Sequence, residues 1–242
     1  HPEVGHTLRG ISALNATTGR YQEAISAATD SLRIAVEAFG AEHYEVLTAG
    51  VWLAELKYRS GGRAELLGEA LALEAMAAKI SQAELRSEIR LQVLLSQLYA
   101  GQSLFENASG HLAKAESAAR TRHGTAHLNY ATVLDAQAEL FAAQSRHAEA
   151  LLAQEQSTKI AKSILGPSHP DYATALVNLA TVHLNRGAPS LAQTLLEEAV
   201  AIYSSATGIT HIAAGDALNI RALAHQDLGK FEQAITAFER AI

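Results

Sequence analysis

Five histidines stand on one ladder with a step of 42 residues: His1, His43, His127, His169 and His211; the remaining rung is Leu85. Imidazole binds metals and moves protons near neutral pH, so a regular histidine series first raises metal or acid–base chemistry. The spacing argues against a shared ion. Rungs so far apart are separated by at least one packed helix pair, and neighbouring helices alone lie ~8–10 Å apart. Zinc holds its imidazoles at ~2.0–2.1 Å. A structural role fits better. His169 precedes Pro170, and proline suits the first turn of a helix. The histidine is then the residue just outside, placed to cap the helix or to pack against a neighbour. His123 and His127 are four apart, but Gly124 and Thr125 between them read as loop. The chain has no His-Glu-x-x-His, no Gly-x-Ser-x-Gly elbow and neither of the glycine-rich phosphate loops. No catalytic residue, metal or cofactor is expected, and the chain is not expected to be an enzyme.

The elements that would position these histidines follow the same step. Eighteen residues after each rung come Gly19, Gly61, Ser103, Ser145, Gly187 and Gly229. Eleven after it come Ser12, Ala54, Ser96, Ala138, Ala180 and Ala222, all small. Twenty-three after it come Ala24, Leu66, Ala108, Ala150, Ala192 and Ala234. Gly40, Gly124, Gly166 and Gly208 lie three before the next rung. Within one unit, residues 170–185 carry an apolar face at spacings of three and four, Gly187 stops that helix, and a second run follows over 191–203. Two helices and two turns fill the unit and leave no room for a strand. Small residues in mid-helix allow the two helices to approach closely. His183 and His225 fall on the apolar side and are expected in or near the core. The junction at residues 80–88 lacks both Gly and His, so a distorted or continuous helical connection is expected between the second and third units.

Composition agrees. Aromatics make up only 5% of the 242 residues, and alanine and leucine abound, which favours helix over strand. The formal charge of −6 argues against nucleic acid. No apolar run approaches the ~20 residues of a membrane span, so no membrane association is expected. The first residue is His1 rather than Met, so the chain is expected to be a fragment of a longer one, and its expected location is cytoplasmic.

Small residue, Gly, aromatic, Ala, Ala in this order resembles the tetratricopeptide repeat. "GRYQEAISAATDSL" (19–32) and "GKFEQAITAFERAI" (229–242) look like its second helix. A 42-residue unit with "LGPSHPDYATALVNLA" (165–180) resembles the longer variant found in kinesin light chains and many bacterial signalling proteins. The resemblance implies an all-α, right-handed α-solenoid of about six helix-turn-helix repeats, in one domain, with boundaries near 1–42, 43–84, 85–126, 127–168, 169–210 and 211–242. The second repeat departs from the pattern, with Arg63 for the aromatic and Leu66 and Leu73 for alanine.

In such an array the first helix of each repeat lines an extended concave surface. Carrying the family's groove positions across marks Arg9 in the first repeat. The second offers Trp52, Tyr58 and Arg59; the third offers Arg90, Leu94 and Gln97; the fourth offers Asp135 and Glu139. Asn178, Thr181 and Asn185 follow in the fifth, and Asn219 in the sixth, where Asp216 and Asp227 accompany it. Trp52 is the single tryptophan and stands near arginines, a common interface anchor; a core position for it is the competing expectation. Arginines lie in the first half of the series and carboxylates in the second. A partner with acidic-aromatic residues at one end and basic residues at the other would match. Kinesin light chains use an asparagine two positions before the small-residue rung, and only Asn178 keeps it here. The expected function is a non-enzymatic scaffold that binds a peptide or protein segment. The alternative is a regulatory segment of a larger signalling enzyme, a kinase or a caspase-like protease. The last apolar face, with Phe238 and Ile242, is expected to be covered by a further domain or a partner.

Overall fold

The computed structural model describes residues 1–62, 65–81, 87–206 and 212–241. The described residues form twelve helices and no strand. They fall into two compact units, His1–Ala118 and Ala119–Ile242. The first unit holds α1 (Pro2–Thr17), α2 (Tyr21–Phe39), α3 (Tyr44–Arg59), α4 (Leu66–Ala77), α5 (Glu88–Ala100) and most of α6 (Phe105–His123). The second holds α7 (Leu128–Ala143), α8 (His147–Leu165), α9 (Pro170–Asn185), α10 (Pro189–Ala206), α11 (Ile212–Asp227) and α12 (Phe231–Ala241).

The histidine ladder is a row of helix caps. Nδ1 of His1, His43, His127 and His169 accepts the backbone N–H two residues on, from Glu3, Glu45, Asn129 and Asp171, at 3.1–3.4 Å. Each bond satisfies one of the amides that a helix start leaves without an intrahelical partner. His211 lies outside the described residues. The turn ladder is equally regular. Gly19, Gly61, Gly187 and Gly229 all have positive φ, and so do Ser103 and Ser145, at 61° and 60°. The backbone demands a left-handed residue at this point of every repeat, whichever side chain stands there.

The small-residue ladders meet inside each helix pair. Ser12, Ala54, Ser96, Ala138, Ala180 and Ala222 are all buried, as are the residues twelve positions further on. In the first pair Ser12 Oγ donates to the carbonyl of Ala24 at 2.7 Å, so the two ladders touch. Ser31 to the Gly5 carbonyl (2.8 Å) and Ser157 to the Ala131 carbonyl (3.2 Å) repeat one contact three steps apart. The second repeat keeps the helix pair by exchanging sizes. Leu73 takes a place that is Ser or Ala elsewhere, and Gly50 faces it. A β-carbon on Gly50 would stand 2.6 Å from Leu73 Cδ2. α4 ends at Ala77 and residues 78–81 are not helical; the rest of the expected irregular junction, 82–86, lies outside the described residues.

Candidate functional site

In the first unit the marked residues sit on α1, α3 and α5, and most are already engaged. Arg9 Nη1 donates to Glu45 at 3.2 Å, and its Nη2 lies 2.7 Å from His6 Nδ1. Arg90 grips Glu55 through Nε (2.8 Å to Oε1) and through Nη2. Its guanidinium carbon stands 5.2 Å from the Trp52 ring centroid. The Trp52 indole N–H donates to Ser12 Oγ at 3.0 Å. Burial, and after it the charge of Arg9, push the Arg90 pKa below the ordinary arginine value. Arg59 is exposed and lies 5.7 Å over the Tyr21 ring. Tyr58 and Gln97 are half-buried, and Tyr58 packs on the unit's core. The positive charge expected here is therefore largely met by Glu45 and Glu55 of α3. Trp52 is half-buried, bonded to Ser12 and flanked by Arg90. One placement differs from the expectation. Leu94 is 1% exposed, because α5 is enclosed on nearly every side from Leu91 to Ser96. It supports the helix and is not available to a ligand.

A polar cluster between α4, α5 and α6 did not figure among the marked residues. Gln92 donates to Glu74 (3.1 Å) and lies 2.7 Å from His111 Nδ1, Lys114 donates to Glu74 (2.9 Å), and the His111 ring stacks on Tyr99. Burial lowers the His111 pKa. Burial alone would raise Glu74, but the bonds from Lys114 and Gln92 outweigh it and hold the pKa low. The available signal was Gln92 itself, a polar residue on a rung that is Leu in four of the other repeats.

In the second unit the marked face, on α7, α9 and α11, is open. A recess of about 240 Å³ is lined by Asp135, Asp171, Thr174 and Asn178 among apolar residues that include Leu128, Ala131 and Leu165. A second, about 380 Å³, is lined by Asp216, Asn219, Thr174, Asn178 and Tyr203, with Val177 and Ile220. Thr174 and Asn178 belong to both. Thr174 Oγ1 lies 2.7 Å from the Tyr203 hydroxyl. The side-chain amide of Asn178 has no hydrogen-bond partner among the described residues. Asp135 accepts from the buried Gln154 amide at 2.8 Å rather than from a cation. Burial pushes its pKa up to about 6; hydrogen bonds from Ser157 and Gln154 oppose the rise and the charge of Glu139 adds to it. Glu139, Thr181 and Asn185 are exposed and do not line either recess; Thr181 Oγ1 donates to the Val177 carbonyl of its own helix. Asp171, Thr174 and Tyr203 were not marked beforehand. Thr174 stands one turn before Asn178, which was the signal for it. His183 and His225 are buried as expected, each with an Nδ1 that has no hydrogen-bond partner among the described residues. No group of three His, Asp, Glu or Cys side chains able to hold a metal occurs among the described residues. No described helix is long and apolar enough to cross a membrane.

Paired helices, left-handed turns after each first helix and a 42-residue step define the class: an α-helical repeat array. Family models described as tetratricopeptide repeat match residues 4–45, 131–171, 153–205 and 171–242, together more than half of the chain. The chain belongs to the tetratricopeptide repeat family. No curated protein matches it. Among solved structures it is similar to the nearly identical TPR-like repeats, of kinesin light chain type, from Podosopora anserina: 22% identity, 86% of this chain and 98% of that one, TM-score 0.57. It is similar also to NprR in complex with its cognate peptide NprX, at 18% identity over 95% of this chain and 66% of that one, TM-score 0.66. A Rap protein complexed with Competence and Sporulation Factor gives 13% identity over 93% of this chain and 63% of that one, TM-score 0.71. At these identities the likeness is one of fold.

Proposed function

We propose that the chain is a non-catalytic interaction module, and that the α7–α9–α11 face of its second unit holds an extended peptide with at least one cationic side chain. One observation carries the reading: two recesses adjoin there, share Asn178 and Thr174, and are flanked by Asp135 and Asp216. An unpartnered carboxamide in a half-buried position can donate to a peptide carbonyl and accept from a peptide N–H, which fixes an extended backbone irrespective of its sequence. Carboxylates on either side then select for lysine or arginine. The similar NprR structure is a complex with its cognate peptide, which favours the reading. The α1–α3–α5 face is the weaker candidate, since Glu45 and Glu55 already take up Arg9 and Arg90.

The test is a titration of the isotope-labelled chain with two extended peptides, one lysine-rich and one glutamate-rich. Shifts confined to α7, α9 and α11 with the lysine-rich peptide are expected. Asn178→Ala should then weaken binding by roughly fivefold to thirtyfold, the worth of one or two hydrogen bonds. Equal response to the glutamate-rich peptide, or shifts centred on α1, α3 and α5, would reject the assignment.

A further inference from the structure

On the side of α11 opposite Asp216 and Asn219, Arg221 and His225 stand one turn apart. Arg221 is unusual for its place. On the 42-residue ladder the same position is Ile11, Leu53, Leu95, Gln137 and Leu179. Leu53, Leu95 and Leu179 are all buried. A guanidinium there gives up hydration and calls for a partner. Among the described residues no hydrogen bond or ion pair engages it, and its Nε is buried and unsatisfied. Burial, and after it the charge of Arg240, lower the Arg221 pKa, while Glu197 opposes them. His225 is 7% exposed, and its Nδ1 is likewise buried and unsatisfied.

Both residues line one recess of about 390 Å³ between α10, α11 and α12. That volume lies in the range of roughly 300–1,000 Å³ usual for small-molecule sites. Glu232 and Thr236 line it from α12, on the side of that helix away from Phe231, Ile235 and Phe238. Gln193 and Glu197 line it from α10. Lys230 Nζ donates to Gln193 Oε1 at 3.0 Å, and the Gln193 amide donates to Glu197 Oε1 at 2.8 Å. Glu197 Oε2 and the Glu232 carboxylate have no hydrogen-bond partner among the described residues, and neither glutamate pairs with Arg221. One recess thus presents an unpaired guanidinium together with unpaired carboxylates. A phosphate dianion would meet two glutamates there, and a simple cation would meet Arg221. A molecule with one charge of each sign satisfies both.

We propose that this recess binds a free α-amino acid, its carboxylate on the Arg221 guanidinium and its ammonium on the carboxylates of Glu197 and Glu232. The site is separate from the peptide face, since it lies across α11 from it.

Titration of the isotope-labelled chain with L-glutamine, L-serine and L-lysine tests this. At least one should bind saturably, moving amide signals around Arg221, His225 and Glu197 and leaving those around Asp135 and Asn178 in place. The N-acetyl and carboxamide derivatives of that amino acid each lose one charge, and each should bind roughly tenfold more weakly or worse. Glu197→Gln should weaken binding by a similar factor. Arg221→Leu carries the residue of three sibling repeats and Arg221→Gln that of a fourth. Both should fold, as circular dichroism checks, and neither should bind saturably. Failure of all three amino acids to bind up to millimolar concentration overturns the proposal. Equal affinity for inorganic phosphate, or undiminished binding by either Arg221 variant, overturns it as well.

Discussion

Asp135 is the side chain whose setting departs most from what its type implies. It is an aspartate on a helix whose carboxyl is pushed up to about 6, chiefly by burial. Ionising it in the folded chain is harder than in the unfolded one, so stability falls as the pH rises through the window from the ordinary value, 3.8, to about 6. The loss is on the order of 2–3 kcal/mol at most. Asp135→Asn should remove that slope and leave the chain more stable than wild type near neutral pH, measured by urea unfolding at several pH values. His183 and His225 act with the opposite sign. Burial lowers both pKa values, so the stability they contribute is present above 6.5 and is lost as the pH falls below it. The comparison with Asp135→Asn at each pH isolates the carboxyl. The same group makes a binding prediction. Affinity for a lysine-bearing peptide should rise as the pH passes from about 5 to about 7.5, and Asp135→Asn should flatten that rise; an unchanged profile in calorimetry would remove Asp135 from the site. These roles were only partly legible. The position on the groove followed from the repeat register, but the raised pKa comes from burial among packed helices, which the hydrogen bonds from Gln154 and Ser157 of α8 only partly offset.

Helices are begun and ended here by residues that the 42-residue step names in advance. The cap geometry predicts what substitution should do. His169→Ala should cost about 0.5–2 kcal/mol, while His169→Asn should keep most of it, since asparagine also accepts the backbone N–H. A metal or catalytic role for the ladder would not be rescued that way, and thermal unfolding of both variants decides it. At the other end of the first helices, Ser103 and Ser145 occupy left-handed backbone that four sibling positions fill with glycine. Ser145→Gly should raise stability by about 0.5–1 kcal/mol, measured by chemical denaturation, because the strain of a β-carbon at positive φ is larger than the entropy that glycine restores to the unfolded chain. Repeat 2 shows where element-level reading stopped. Leu73 in a small-residue place signalled irregularity, yet the fit follows from Gly50 on the facing helix, and no spacing rule pairs those two.

On the scale of the whole molecule, contacts are local. Within the units, α1 to α5 and α7 to α12 each pack on their neighbours in sequence, and further contacts join consecutive first helices, such as α3 with α5 and α9 with α11. Stability is then close to a sum of repeat and nearest-neighbour contributions. Leu176→Ala, which empties a fully enclosed position in α9, should cost about 2–5 kcal/mol. Its effect on amide exchange should be concentrated in α8 to α11 and leave α1 and α2 at wild-type protection. Uniform loss of protection through every helix would show that the chain unfolds as one cooperative block instead.

The amino-acid sequence alone determined the repeat, its 42-residue step, the helix pairs, the family and the residues on which each helix begins and turns. It could do so because caps, left-handed turns and close helix contacts are set by residues near one another in the chain, and because repetition states each requirement nearly six times. Tertiary structure decided which of the marked residues are engaged by the chain itself and which stand open. Arg9 and Arg90 proved paired and Leu94 buried, while Asn178 stood open between two recesses. Those outcomes depend on residues a whole helix away, such as Glu45 and Glu55. A side chain's charge is written in the sequence, but its exposure and its partner exist only once the helices have packed.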